Sequence, residues 1–322
     1  MSDGARVAPT SDRTPGFRHE ALLYAGDAEF FPSILAFLRE GAARGEPALV
    51  VVDARKIRTL RAALAADADD IEFADVAEVG VNPARIIPAW RDFVDARCTS
   101  SQRVRGVGEP VWSARTDAEL SECDRHEALL NVAFAPGPGW ELVCPYDTST
   151  LTVDVVAAAG GTHPLMRTSG ERAQPSARWP GLAASEPHPS DALPPPPLEA
   201  IEVPFEDVTS LAGVRAVVAE RARAAGIGRR RVGQIAMVVG ELAANSVRHG
   251  GGRGTLRAWC DDGALVCEVR DRGVLTDPLV GRIRPSPEAA QGRGLWLANQ
   301  LSDLVQIRVR TEGTTVRVWF RP

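Results

Sequence analysis

From residue 229 to the C-terminus the apolar residues change their spacing from 3.6 to 2. That change limits this part of the chain to a helical layer lying on a sheet. Val232, Ile235, Ala236, Val239, Leu242 and Ala243 recur at helical spacing along Arg229 to His249, and Gly250-Gly251-Gly252 stops the helix. Four alternating segments follow as two hairpins. Thr255 to Cys260 and Leu265 to Arg270 flank Asp261-Asp262-Gly263, and Val305 to Arg310 and Thr314 to Phe320 flank Glu312-Gly313. Leu256, Ala258, Leu265, Cys267, Val269, Val305, Ile307, Val316, Val318 and Phe320 share one parity, while Thr255, Arg257, Glu268, Arg270, Gln306 and Arg308 share the other. The sheet is predicted to turn an apolar face to helices and a mainly polar face to water. Ahead of it, Ile201 to Pro204 reads as a short strand. Asp207 to Ala225 reads as a helix with Leu211, Val214, Val217 and Val218 on one side, broken at Gly226.

Residues 15 to 165 alternate helical and extended patterns. Phe30 to Gly41, Ile57 to Leu64, Ile86 to Ala96 and Ala118 to Phe134 read as helices. Ala48 to Val52 is wholly apolar, as a strand buried on both faces must be; Val104 to Trp112 and Glu141 to Cys144 read as extended. The pattern predicts an α/β domain with a largely parallel sheet. Arg18-His-Glu-Ala-Leu-Leu23 recurs as Arg125-His-Glu-Ala-Leu-Leu130, which reads as a chance recurrence of a helix start, with no wider repeat around it. Between the two patterned regions, residues 167 to 199 carry Pro175, Pro180, Pro187, Pro189 and the run Pro194-Pro-Pro-Pro197, the composition of an extended linker. The organisation predicted is a disordered tail over 1–16, an α/β domain over 17–166, a linker over 167–199 and a second α/β domain over 200–322.

The formal net charge of −5 gives no whole-chain reason to expect nucleic acid. Cys98, Cys123, Cys144, Cys260 and Cys267 are scattered and odd in number, which suits a reducing cytoplasm. Met1 to Thr14 has no apolar core, and no apolar run approaches the roughly 20 residues of a membrane helix, so neither a signal peptide nor a membrane anchor is expected.

Candidate chemistry gathers on the Arg229–His249 helix. Glu241 and Asn245 are four apart and share a neighbouring face, a spacing that by itself describes a solvated face. Strand parity adds weight, because continuing the inward positions points Asp271 and Thr314 at the layer that holds this helix. In the first domain, Cys144, Tyr146 and Asp147 follow an apolar strand. There an open α/β sheet places ligands, and with His163 they form a candidate sensory site. Their plain alternative is a buried thiol, an Asp capping a helix from Thr148, and a structural histidine.

Two resemblances extend this reading. Residues 17 to 166 resemble the MEDS sensory family through His19-Glu-Ala-Leu-Leu-Tyr24, Gly45-Glu46 before Val50-Val51-Val52, Gly108-Glu-Pro-Val-Trp112, Glu127, Asn131, Cys144-Pro-Tyr-Asp147 and His163-Pro164. This implies a RecA-like α/β fold and an unknown small-molecule signal; no Gly-x-x-x-x-Gly-Lys-Ser/Thr loop accompanies it. Residues 201 to 321 resemble the GHKL ATPase superfamily, nearest to anti-sigma factor kinases of the RsbW type. The resemblance implies a Bergerat fold, with helices over one face of a mixed, mostly antiparallel sheet, and a site for ATP and Mg²⁺. By position it implies Glu241 as general base, Asn245 as the Mg²⁺ ligand, and Asp271 as acceptor for the adenine amine, helped by Thr314 through a water. Gly273 would let the backbone approach the base. Gly292, Arg293 and Gly294 would offer amides and charge to phosphates at the start of the Leu295 helix, with Arg248 and His249 nearby. The sequence departs from the pattern after Asp271-Arg272-Gly273, where Val274 and Leu275 stand in place of a second glycine. Val274 to Gln291 would be the lid, with Pro278, Pro285 and Pro287 in it.

The function expected is a cytoplasmic regulatory serine/threonine kinase; the resemblance implies a sigma factor and a STAS-type anti-anti-sigma protein as its partners and favours a homodimer through the second domain. A non-catalytic nucleotide-dependent switch is the alternative. Ala225-Gly-Ile-Gly-Arg-Arg-Arg231 between two helices imitates a DNA-binding helix-turn-helix, but the second helix is apolar on the stripe a recognition helix would expose.

Overall fold

The computed structural model describes residues 16–99, 101–135, 137, 139–184, 192–286 and 292–322. The expected tail over 1–16, apart from Gly16, Pro187 and Pro189 of the linker, and Pro287 to Gln291 of the lid lie outside the described residues.

Among the described residues the first region has seven strands, β1 Arg18–Tyr24, β2 Ala48–Val52, β3 Ile71–Asp75, β4 Arg105–Gly108, β5 Glu141–Asp147, β6 Leu165–Thr168 and β7 Gln174–Pro175. They lie in the order β3-β2-β4-β5-β1-β6-β7. Every pairing from β3 to β6 is parallel, and only β7 runs against its neighbour. The helices are α1 Asp27–Ala42, α2 Ala54–Leu64, α3 Val76–Val79, α4 Ile86–Arg97, α5 Asp117–Phe134 and α6 Val153–Thr162. Both sheet faces are covered, one by a core around Phe30, Ile34, Leu38 and Leu60, the other by one around Trp90, Leu129, Leu130 and Trp140. The wholly apolar β2 is buried at all five positions, as burial on both faces requires. Local chemistry sets the ends: Asp53 accepts from the amides of Arg55 and Lys56 to start α2, and Thr116 with Glu119 forms a capping box on α5.

Two expectations for this region change. Arg18–Tyr24 is a strand, whereas its twin Arg125–Leu130 lies inside α5, so six identical residues adopt different structure under different tertiary neighbours. No helix begins at Thr148. Asp147 Oδ1 instead accepts from Ser149 N and Ser149 Oγ in a turn, and α6 starts five residues later.

The second region is α7 Leu211–Ala224, α8 Arg229–His249 and α9 Arg293–Leu301 on a five-stranded sheet of β8 Ile201–Phe205, β9 Gly254–Asp261, β10 Ala264–Asp271, β11 Leu304–Arg310 and β12 Gly313–Phe320. The order is β11-β12-β10-β9-β8, and all four pairings are antiparallel. Asp262 and Gly263 both take positive φ in the β9–β10 link, the geometry a two-residue hairpin needs. The helix expected from Asp207 starts at Leu211, because Asp207 folds back to accept from Thr209 and Ser210. Leu256, Cys267, Val269, Val305, Val318 and Phe320 pack beneath Val214, Ile235, Val239 and Leu242 as the alternation required.

The face predicted to meet water does so only in part, at exposed Arg270 and half-buried Thr255 and Arg257. Val266, Glu268, Gln306, Arg308 and Arg317 are all buried on it. The chain's own first region covers this face: Arg308 donates to Glu122 and Ser121, Gln306 to the Ala118 carbonyl, and Arg125 to the Ile307 carbonyl. Arg317 donates to the carbonyl of Pro194, so the proline run also lies against the sheet. Among the described residues no helix is long and apolar enough to cross a membrane.

Candidate functional site

Where α8, α9, β10 and β12 meet, a cleft of about 220 Å³ opens. Asn245, Asp271, Gly273, Gly292, Leu295 and Thr314 line it, together with His249 and apolar Leu242, Val269 and Val316. The sequence spreads these residues over 75 positions, and the antiparallel register gathers them: Asp271 pairs directly with Thr314 across β10 and β12. Asp271 is held at both oxygens, by Ser246 Oγ at 2.6 Å and by the amide of Gly273 at 2.7 Å. Thr314 Oγ1 donates to the carbonyl of Gly273 at 2.7 Å. One carboxylate, one hydroxyl and one turn thus form a fixed polar edge in an otherwise apolar hollow, an arrangement suited to a flat heterocycle with an exocyclic amine.

Two glycines permit approaches that no side chain would. A Cβ on Gly250 would lie 2.4 Å from the Asp271 carboxyl carbon, and a Cβ on Gly294 would lie 2.7 Å from Asn245 Nδ2. The second contact seats the first turn of α9 against Asn245. The amides of that turn have no partners within the helix, and its positive end favours anions. Gly292, in the left-handed region at φ 89°, starts the turn.

Not every expected residue joins. Glu241 is half-buried one turn before Asn245 and does not line the cleft; Arg293 is exposed at the first position of α9. Arg248 is exposed, while His249 reaches the lining. At the departure from the expected pattern, Leu275 packs on the core of the second region, and both it and the largely exposed Val274 line the cleft.

The lid segment has a second attachment that the sequence did not reveal. Leu275 and Val280 pack into the core of the second region, but Leu279 and Ile283 pack into that of the first. Arg282 is buried and pairs with Glu122 at 3.3 Å; Arg284 pairs with Asp92 at 2.8 Å. The far end of α9 is held in the same way. Asn82 and Arg85 donate to the carbonyl of Asn299, and Arg85 also donates to that of Ser302. The helix whose first turn borders the cleft therefore ends on the first region.

In the first region, Cys144, Tyr146 and His163 converge on one side of the sheet, all nearly inaccessible. They sit within the domain rather than beyond the strand ends. Asp147 is not with them, since successive residues of β5 face opposite sides and it turns toward Gly26 and Ser149. His19 and Glu127 complete the group, and the twin hexapeptide was the signal for them: the His of one copy meets the Glu of the other at 3.0 Å. Burial and the nearby His163 push His19 down to about 4, so its ring is neutral at pH 7, and burial pushes the Cys144 thiol up. Burial opposes charge on Glu127 as well, but the imidazoles of His163 and His19 against it outweigh burial and hold the carboxyl well below its ordinary range. A separate buried trio, Tyr24, Lys56 and Glu109, occupies the carboxyl ends of β1 and β4 and is paired within itself.

Comparison with known proteins agrees with this division. Residues 18–164 match the family described as MEDS, the methanogen/methylotroph DcmR sensory domain, and residues 206–320 match the histidine kinase-like ATPase domain. Among solved structures, the RsbU and RsbW domains of Rv1364c from Mycobacterium tuberculosis are similar, with 21% identity and a TM-score of 0.29, over 38% of this chain and 32% of that one. The chain thus spans about a third of that protein's length. No curated protein matches.

Proposed function

We propose that this chain, a MEDS sensory domain joined to a histidine kinase-like ATPase domain, is a sensor-controlled ATP-dependent regulatory kinase. The observation that carries the reading is that Asn245, Asp271, Gly273, Gly292, Leu295 and Thr314 share one cleft. Asp271 fits the amine of adenine, because its oxygens are fixed acceptors at the edge of an apolar hollow. Asn245 fits Mg²⁺, because an amide oxygen suits an ion that takes few protein ligands, and the N-terminus of α9 beside it suits the phosphates that ion would accompany. Bound Mg²⁺ would neutralise phosphate charge during transfer. Glu241 would accept the proton of a partner's Ser or Thr hydroxyl as its oxygen takes the terminal phosphoryl group and ADP leaves.

The partners follow from the motif resemblance to anti-sigma factor kinases: a sigma factor held inactive, and a STAS-type anti-anti-sigma protein that receives the phosphate. Control would run through the lid and α9, because both are anchored to the sensory domain by Glu122, Asn82 and Arg85. A signal that moves α5 would then move one wall of the cleft.

Glu241→Ala tests the chemistry. Phosphate transfer to the partner should vanish while Mg²⁺-ATP still binds in calorimetry; full activity in that variant refutes the base. A second reading, a non-catalytic binding switch, is favoured by the position of Glu241 outside the cleft lining and by Leu275 in it. Absence of ATP heat up to millimolar ligand would support that reading.

A further inference from the structure

We propose that His19, Glu127, Cys144 and His163 form a closed site for a divalent transition-metal ion, zinc by preference, at the centre of the sensory domain. Four separate elements each supply one ligand: β1, α5, β5 and the residue that follows α6. Their ligand atoms all lie within 4.8 Å of one another. His19 Nε2 is 3.0 Å and His163 Nε2 3.3 Å from Glu127 Oε2. Cys144 Sγ is 3.3 Å from that oxygen and 3.4 Å from His19 Nε2. Bonds of about 2.0–2.3 Å to a tetrahedral ion set ligand atoms roughly 3.3–3.8 Å apart, so a small inward or outward shift of these side chains suffices.

The pattern of satisfied and unsatisfied groups separates a ligand set from an ordinary buried network. Three neighbours crowd Glu127 Oε2, while Glu127 Oε1 and His163 Nε2 have no hydrogen-bond partner. All four side chains are at most 1% exposed, so water does not serve them from bulk. A buried network normally satisfies its members; groups that converge on a point are what a cation requires.

The outer partners also fix the rings as ligands. His19 Nδ1 lies 3.1 Å from Asn131 Oδ1, and Asn131 Nδ2 donates to the carbonyl of Thr162 at 2.7 Å, which makes the amide oxygen the acceptor for His19. His163 Nδ1 lies 2.9 Å from the Ala159 carbonyl, an acceptor only. Both rings therefore carry hydrogen on Nδ1 and turn the Nε2 lone pair inward. One thiolate and one carboxylate balance a divalent charge, and a sulfur with two imidazoles selects zinc or its neighbours over Mg²⁺ or Ca²⁺. Glu127 stands on the same helix as Glu122, so the ion and the interdomain contact act on one element.

The test uses the tag-free full chain, refolded from denaturant with zinc, desalted, and assayed for metal by mass spectrometry. About one equivalent of zinc per chain should remain. Cobalt(II), added alone to metal-stripped protein, should give thiolate-to-cobalt absorption with tetrahedral visible bands. Cys144→Ser should lose the thiolate band. Cys123→Ser should keep it, because that thiol donates to the Pro110 carbonyl and is not a ligand. If Cys144→Ser does not fold, wild type and Cys123→Ser still decide the matter. Folded wild type that retains no zinc and shows no cobalt band overturns the site, as does a thiolate band unchanged in Cys144→Ser.

Discussion

Arg308 donates to Glu122 at 2.7 Å across the junction of the sensory and ATPase domains, and both side chains are under a tenth exposed. The other oxygen of Glu122 pairs with Arg282 of the lid. A single carboxylate on α5 therefore holds both the edge strand of the ATPase sheet and the segment over the cleft.

Removing that carboxylate leaves two guanidinium groups buried without it. Breaking a buried pair this way costs about 3–5 kcal/mol. Glu122→Ala should lower the melting temperature and expose buried Arg282 to trypsin, read as a new cleavage after Arg282 by mass spectrometry. The affinity for Mg²⁺-ATP should change in the same variant; an unaltered affinity alongside a released lid would disconnect the sensory domain from the cleft.

Asp271 has a structural as well as a recognition duty. Asp271→Ala leaves the Gly273 amide without its acceptor, at about 1–3 kcal/mol where water does not reach it, and leaves Ser246 Oγ only the Leu242 carbonyl at 3.3 Å. Asp271→Asn keeps the shape and an acceptor oxygen. Both should weaken ATP binding by at least about tenfold, the equivalent of roughly 1.4 kcal/mol, while Asp271→Asn stays nearer to wild type in melting temperature. Isothermal titration with ATP and ADP checks the first expectation and calorimetric unfolding the second.

Gly294→Ala isolates the contact between α9 and Asn245. Its methyl group would fall 2.7 Å from Asn245 Nδ2, so the amide must swing or the helix must retreat. Overpacking of this kind costs about 1–3 kcal/mol. Nucleotide affinity should fall with little change in far-ultraviolet circular dichroism, and the loss should be larger with Mg²⁺ than without it.

Burial raises the Cys123 thiol to about 12, with Glu127, Glu119 and Glu122 adding to the shift while Arg115 opposes it. Its ordinary value is 9.0. The folded state thus keeps a proton that the unfolded chain gives up. Stability from this group is complete below pH 9 and declines as pH rises through about 12, by about 1.4 kcal/mol per pH unit. Denaturant midpoints between pH 8 and 11 should show the decline, and Cys123→Ala should make it shallower by about one proton's share, the rest remaining with buried Cys144 and Cys267, whose thiols burial also raises. At pH 8 a thiol reagent should label exposed Cys260 long before buried Cys123.

Much of the ATPase fold was legible in the sequence because period and turn chemistry are local. Arg229–His249 and the four hairpin strands appear within a residue of where alternation, Asp262-Gly263 and the triple glycine put them. Strand parity correctly turned Asp271 and Thr314 toward α8. Parity could not tell that the opposite face, with Glu268, Arg308 and Arg317, is buried, since a polar face against water and a polar face against a charged helix read alike. The MEDS half was harder. β3, Ile-Glu-Phe-Ala-Asp, has too few apolar positions to stand out, and the pairing of His19 with Glu127 spans 108 residues. The twin hexapeptide marks both residues, but only the fold shows that they meet.

The polar side of the ATPase sheet lies under α5 and the carbonyl of Pro194. Any other macromolecule that grips that surface must first evict the chain's own front half, so occupancy from within and capture from outside are mutually exclusive.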